Sequence, residues 1–339
     1  MTEPPGPPGP PGPPPVGEFA IIERYFAPLA KGEPGAFGLA DDAAVLQFAK
    51  PAVITTDTLV AGVHFITDAP PGTVAAKSLR VNLSDLAAMG ATPRAYTMSL
   101  TFGEIPDETW VRDFAAGLAR DQETFAVTLI GGDTLKGCEL SITITAFGEA
   151  SPAGLLRRSG AKSGDRVWVS GTIGDGVLGL RAAAGELPEL PEKSRNELIN
   201  RYLIPEPRLA LGRRLVGLAG ACIDVSDGLI ADLGHICRAS GLSAIVEAKK
   251  VPLGEAARLV LDGNADIMEE VLGGGDDYEL LFSAPVEADA AIGALAEELS
   301  LPLSPIGMLG ESTPRGGSVR VVDGKGLEIA PAKTGYRHF

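Results

Sequence analysis

The sequence predicts two consecutive domains of α/β or α+β type, and three observations carry that prediction. The chain has 339 residues, more than one small core accounts for, and two domains of about 150 residues each are the natural expectation. Segments with strand and helix periodicity alternate along both halves. Between the halves, residues 151–164 are rich in Gly, Ser, Pro and Arg and have no clear period, which marks a boundary. The expected organisation is a tail over 1–16, an N-terminal domain over 17–150 and a C-terminal domain over 151–339.

The tail, TEPPGPPGPPGPPP over 2–15, has Gly at every third position. A few such triplets cannot hold a triple helix, and the segment has nothing to bury, so it reads as disordered and partly polyproline. It lacks the apolar core of a secretory signal. From Gly17 onward the pattern changes: Phe19, Ile22, Phe26 and Leu29 fall at helical spacing. Extended runs follow at 43–48 and 52–56, the second ending at Asp57. A helix over 74–89 carries Ala75, Leu79, Leu86 and Met89 on one stripe. Strand 94–102, helix 107–121, strand 126–130 and strand 139–146 complete the first half. The second half reads as strand 166–169, a helix from about 175, a charged helical hairpin over 192–218 and strand 222–225. Helix 228–240, strand 243–246, helix 255–262, strand 278–282, helix 286–299 and short terminal strands close it. In such a frame ligands are expected at strand ends.

Composition narrows the function. The net charge is −15, from 44 acidic and 29 basic residues, which argues against a fold that grips nucleic acid by its phosphates. No run approaches the roughly 18 apolar residues of a membrane span. Three scattered cysteines, Cys138, Cys222 and Cys237, form no Cys-x-x-Cys pair, which fits reduced thiols in a cytoplasmic protein. Three histidines without ligand spacing to a cysteine give no zinc site.

The chemistry lies in a recurring setting, an apolar run followed by a turn with Asp beside Gly, Ser or Thr. It occurs at Asp41-Asp42, Thr55-Thr56-Asp57, Gly131-Gly132-Asp133, Asp224-Val225-Ser226-Asp227 and Gly275-Asp276-Asp277. Asp85 joins them from within a helix, beside its apolar stripe. Asp and Gly also populate turns and caps for local reasons, but five loops built alike point further. Magnesium binds through one or two carboxylates plus phosphate oxygens. Several ions on one polyphosphate therefore need carboxylates on separate rigid elements, with glycines that let the backbone come close. The expected site is a magnesium–nucleotide site for phosphate transfer from ATP.

Other signatures fail. Walker A is absent, and Gly160-Ala161-Lys162-Ser163 reads as a surface turn. Gly174-x-Gly176-x-x-Gly179 matches a dinucleotide string, but the region where an acidic residue should end a second strand reads Leu187-Pro188-Glu189-Leu190-Pro191. A tight strand–helix turn is the better reading there. Kinase catalytic strings and the nucleophile elbow are missing. His64 sits in an apolar loop and reads by itself as a packed residue. Arg157-Arg158 reads as solvated cations or as a phosphate clamp.

Taken in order, Asp41–Leu46, Thr55–Val60, Val81–Gly90, Ile130–Thr134, Arg158–Ala161, Asp224–Leu229 and Gly335-Tyr336-Arg337-His338-Phe339 resemble the successive motifs of thiamine-monophosphate kinase. The matches span about residues 18 to 339, and several echo the wider superfamily of aminoimidazole-ribonucleotide synthetase. The resemblance implies the two-domain fold of that superfamily. N-terminal sheets would pair in a homodimer, and the C-terminal α/β domain would close over the nucleotide. It implies transfer of the γ-phosphate of ATP to thiamine monophosphate, the last step of thiamine diphosphate formation, with several Mg²⁺ ions. By the resemblance, Asp42, Thr56, Asp57, Asp85 and Asp133 are magnesium ligands of the N-terminal domain, with Thr55 where the family often has Ser. Asp224 and Asp227 supply the C-terminal share. Gly132, Asp133, Arg158 and Ser226 face ATP, and His64, Asp276 and Tyr336 face thiamine monophosphate. At position 276 the family pattern is Glu, one methylene longer, which leaves the acceptor contact of Asp276 open.

This chemistry needs no protein nucleophile and no general base, because the acceptor is itself a phosphate with a second pKa near about 6. Direct in-line transfer is the expected mechanism. The rival readings are an ATP-dependent synthetase of the same superfamily and a non-catalytic Mg–nucleotide-binding protein.

Overall fold

A computed structural model describes residues 17–104, 106–263, 267–311, 317–329 and 335–336. The proline-rich tail and the terminal Arg337-His338-Phe339 lie outside the described residues. The fold opens with a short helix, α1 (Glu18–Ile21), which widens to a π-turn over Ile22–Phe26 and tightens to 3₁₀ over Ala27–Ala30. The change of winding rotates the apolar face, and Pro28 has no N–H for an α-helical bond. Ile21, Phe26 and Ala30 are therefore the buried residues, while Phe19, expected on the apolar stripe, is 82% exposed. The expected strand over 43–48 does not form. Ala44 and Leu46 pack against Ala30, Ala36, Ala95 and Ile130 from an irregular segment, anchored by Val45 N–H donating to Gly35 O at 2.8 Å.

The first half continues as β1 (Ala52–Val60), α2 (Pro71–Ala88), β2 (Thr92–Phe102), α3 (Glu108–Phe125), β3 (Thr128–Lys136) and β4 (Ser141–Glu149). Its sheet has the order β1-β4-β2-β3, with β4 antiparallel to β1 and β2, and β2 parallel to β3. β1 and β3 run several residues past the predicted strands. Asp57 and Asp133 thus lie inside strands and not in the turns after them.

The second half comprises β5 (Arg166–Ser170), α4 (Asp175–Ala183), α5 (Glu192–Leu203), α6 (Leu209–Leu215), β6 (Ala221–Asp224), α7 (Leu229–Ser240), β7 (Leu242–Glu247), α8 (Glu255–Gly263), α9 (Ile267–Gly273), β8 (Leu280–Ala284), α10 (Asp289–Leu299), β9 (Leu303–Glu311), β10 (Val319–Val322) and β11 (Glu328–Ile329). The strands form one sheet, β11-β10-β7-β9-β5-β8-β6. Only β7 and β10 pair in parallel; the other described pairs are antiparallel. A rule for open parallel sheets therefore does not place the ligands here. The short α9 has no counterpart in the sequence reading. No described helix is long and apolar enough to cross a membrane.

α2 holds the halves together. It is buried almost all round, and Lys77, Ser78, Asn82 and Ser84 are buried with its apolar residues. Two glycines let other helices reach it. A Cβ on Gly117 of α3 would stand 2.6 Å from Gly72 O, and one on Gly212 of α6 would stand 2.0 Å from Ala87 O. Leu209, Leu211 and Leu215 of α6 and Phe282 of β8 belong to the same apolar core as Leu79, Leu83 and Leu86. That core therefore runs across the segment 151–164. A second core, with Val167, Ile223, Leu233 and Leu281, lies within the larger half.

One ionic group is wholly enclosed. Glu279, with 0% exposure, accepts from Arg208 Nε at 2.6 Å, Arg201 Nη2 at 2.9 Å and Ser170 Oγ at 2.6 Å. Removing its carboxylate leaves Arg208 without its partner and Arg201 with only Asp175, 3.6 Å away. Glu279→Ala is expected to cost about 3–5 kcal/mol of stability, read as a lower denaturation midpoint at unchanged slope. A loss below about 1 kcal/mol would mean that the arginines find water or other partners.

Candidate active site

The alternation of β1 turns Val53, Thr55, Asp57 and Leu59 inward and Ile54, Thr56 and Thr58 outward. Thr55 and Asp57 reach the cleft beside α2. Thr56, one of the expected ligands, does not: its hydroxyl donates to Ile144 O at 3.1 Å and accepts from Thr145 Oγ1 at 3.1 Å on the outer face. On α2, Lys77, Val81 and Asp85 follow one another at intervals of four, which puts them on one face. All three line a cavity of about 730 Å³.

Asp85 and Asp224 are each oriented by a neighbour from another element. Thr55 Oγ1 donates to Asp85 Oδ2 at 2.5 Å, joining β1 to α2. Ser84 Oγ donates to Asp224 Oδ2 at 2.7 Å, joining α2 to the end of β6. The loop after β6 folds around Asp232, whose Oδ2 accepts the N–H groups of Ser226, Asp227 and Gly228, each at 3.1 Å. Asp276 N–H donates to Ser226 O at 2.9 Å, and a Cβ on Gly275 would lie 2.0 Å from that oxygen. The glycine-rich loop therefore needs Gly275 to seat against the β6–α7 loop. Tyr336 N–H donates to Asp227 O at 3.0 Å.

The cavity thus collects Thr55, Asp57, Asp85 and Arg158 with Asp224, Ser226 and Asp227, and also His64, Asp276 and Tyr336. His64 Nδ1 accepts from Val60 N–H at 3.1 Å, which leaves the neutral ring its proton on Nε2. Asp42, Gly132 and Asp133 line a separate cavity of about 120 Å³. A Cβ on Gly132 would come 1.8 Å from Met98 O, so strand packing alone requires glycine there. The Gly174-x-Gly176 turn is a tight strand–helix turn, and its anion is internal. Gly174 N–H and Gly176 N–H donate to the buried Asp277 carboxylate at 2.8 and 2.9 Å.

Several residues at this site escaped the sequence reading. Lys77 was legible in principle, eight residues before Asp85 on the same helical face. Ser84 is hidden by its small side chain, and Asp232 and Tyr278 act through loops that bring distant residues together. Ligand atoms of Asp227, Asp232 and His235 lie within 4.8 Å of one another. However, Asp232 already serves three N–H groups, so its first role is to hold the loop.

Burial raises the proton affinity of Asp57, Asp85, Asp224 and Asp232. Burial, then the charges of Asp85 and Asp227, push Asp57 up to about 6. Burial and then Asp85 push Asp224 well above the usual carboxylate range, against the Ser84 bond. Asp85 is raised by burial despite the opposing effects of Thr55 and Arg158. Burial followed by Asp227 takes Asp232 to about 7. A divalent cation fits this donor set, since several desolvated carboxylates face one exposed arginine.

The sign of the pH dependence follows. These carboxyls keep protons in the fold that the unfolded chain releases above about pH 4. Their contribution to stability therefore falls as pH rises from about 4 to 7, because the folded state binds more protons. A bound divalent cation opposes that loss. Millimolar Mg²⁺ is expected to raise the melting temperature more at pH 8 than at pH 5; equal shifts would separate the carboxyl cluster from metal binding.

Comparison with known proteins bears on the fold and the family. Residues 40–150 match the N-terminal domain of AIR synthase related protein, and residues 162–321 match its C-terminal domain. The thiamine-monophosphate kinase of Salmonella typhimurium is 40% identical over 327 residues, covering 95% of this chain and 98% of that protein. The crystal structure of thiamine-monophosphate kinase from Stenotrophomonas maltophilia K279a superposes with a TM-score of 0.80 at 41% identity, over 90% of this chain and 96% of that one. AaThiL complexed with AMPPCP and TMP superposes with a TM-score of 0.75 at 32% identity, over 96% and 97% of the two chains. With both halves matched and relatives aligned along nearly their full length, the chain belongs to the thiamine-monophosphate kinase family.

Proposed function

We propose that this chain transfers the γ-phosphate of ATP to thiamine monophosphate, giving thiamine diphosphate and ADP. The observation that carries the reading is the single cavity that gathers Asp57, Asp85, Asp224 and Asp227 beside His64, Asp276 and Tyr336. Related chains bearing the thiamine-monophosphate kinase name and the AaThiL complex with AMPPCP and TMP support it.

In this reading Asp57, Asp85, Asp224 and Asp227 hold Mg²⁺, with Thr55 orienting Asp85. Thr56 is left out as a side-chain ligand, because its hydroxyl is engaged on the outer face of β1. Magnesium, when bound, neutralises phosphate oxygens that these carboxylates would otherwise repel. Arg158 and Ser226 contact the nucleotide from the larger half. Asp42, Gly132 and Asp133 contact it, with a further ion, from their separate cavity. His64, Asp276 and Tyr336 recognise the acceptor. The acceptor phosphate is largely a dianion at neutral pH and attacks in line, so the chain supplies position and charge and no covalent intermediate. Residues 17–150 act as the metal and pairing domain, and residues 151–339 close the cleft. Support for a homodimer comes from the outer face of β1, where Ile54 is 60% exposed beside Thr56 and Thr58.

The test is turnover with ATP, Mg²⁺ and either thiamine monophosphate or thiamine, with products identified by mass. Thiamine diphosphate from the monophosphate alone is expected, and ADP release without it would overturn the reading. Labelled ATP incubated without acceptor should leave no label on the protein. Asp57→Asn should lower turnover by about 100-fold or more, the scale of losing one electrostatic contact to a transition state, while keeping the melting temperature of the metal-free protein.

A further inference from the structure

Lys77 is a lysine inside a protein that rarely buries one. The residue is 1% exposed in the middle of α2, and its ammonium lies 3.6 Å above the centroid of the Tyr202 ring. It stands 3.2 Å from Asp276 Oδ2, an ion pair without hydrogen-bond alignment, and no acceptor among the described residues completes it. Tyr278 OH donates to the other oxygen, Asp276 Oδ1, at 3.0 Å. Both carboxylate oxygens of Asp276 are thus tethered, one from its own loop and one from α2. The backbone at Asp276 is left-handed, with φ of +67°, a conformation that aspartate tolerates better than most residues.

We infer that Lys77 is a positioning residue for acceptor recognition, acting across the two halves by holding the Asp276 carboxylate toward the cavity. The inference rests on the proposed transfer to thiamine monophosphate and on Asp276 facing that acceptor. The geometry gives it content. Lys77 comes from the smaller half, whereas Asp276 and Tyr202 come from the larger one, and both Lys77 and Asp276 line the cavity with His64. The Tyr202 ring offers its negative face to the ammonium, and Tyr202 OH donates to His64 O at 3.3 Å. One cation therefore orders a carboxylate, an aromatic ring and, through that ring, the backbone of the histidine loop. Asp85 lies on the same helical face two turns further along, so α2 sets the acceptor group and the metal group in one rigid frame.

The experiment is steady-state kinetics of the full-length protein with each substrate varied in turn. Lys77→Met keeps an unbranched apolar stem one atom shorter and removes the charge. It is expected to raise KM for thiamine monophosphate about tenfold or more and to leave KM for ATP within about twofold. Lys77→Arg, which keeps the charge, should restore much of that loss. The double variant Lys77→Met with Asp276→Asn should be no worse than Asp276→Asn alone, because one residue acts through the other. If Lys77→Met fails to fold, Lys77→Gln carries the same expectations. Equal rises in both KM values, an unchanged acceptor KM, or multiplying losses in the double variant would each overturn the inference. Wild-type turnover is measured first: its absence defeats the proposed function, whereas its presence with an insensitive acceptor KM defeats only the role of Lys77.

Discussion

The burial of α2 is the constraint on which the rest of the structure depends. A surface helix shows one apolar stripe, but this one is covered on nearly every side and carries polar groups into the interior. Close-packed interiors resist small shifts, and the glycines facing α2 from α3 and α6 bring backbone against backbone. Polar side chains on such a helix cannot wander. Ser84, Asp85 and Lys77 each meet a different element: the end of β6, the inner face of β1 and the glycine-rich loop. The cleft is therefore built outward from one helix, although its walls come from both halves of the chain.

The same packing creates an electrostatic debt in the acids. Asp57, Asp85 and Asp224 gather where water is scarce, and each is raised above the ordinary carboxylate range. Without a cation the fold meets this repulsion by retaining protons, and the apolar core around α2 offsets the rest. Functional sites commonly depart from what stability alone would choose. Here the departure is confined to a few carboxylates, while Glu279, equally buried, is fully paired with arginines. The contrast separates an acid that holds the fold together from acids kept short of partners.

Much of this was legible in the sequence, and the limits have physical causes. The acidic loops at Asp57 and Asp224 are legible as apolar runs ending in Asp beside Ser or Thr, and both reach the same cavity. Thr56 is named beside Asp57 by the family resemblance, but strand alternation sends the two side chains to opposite faces once β1 extends through both. Asp42 and Asp133 looked equivalent to Asp57 in local pattern, and tertiary packing alone puts them at a different cavity. Lys77 went unread because a lysine in a helix is usually a solvated one, and burial all round could not be inferred from a single stripe. The opening helix failed at its winding, since periodicity presumes 3.6 residues per turn and the segment uses two other values.

The glycine-rich turn before α4 bears on how a fold chooses its ligands. A helix start with free N–H groups attracts any anion of suitable size, substrate or not. In this chain the N–H groups of Gly174 and Gly176 already donate to the buried Asp277 carboxylate. A tethered carboxylate has no dissociation to speak of, so inorganic phosphate and stray nucleotides meet a site already saturated. The turn has been made deaf to the ligands that its pattern advertises, and phosphate recognition passes to the cleft, where charge is matched through other groups.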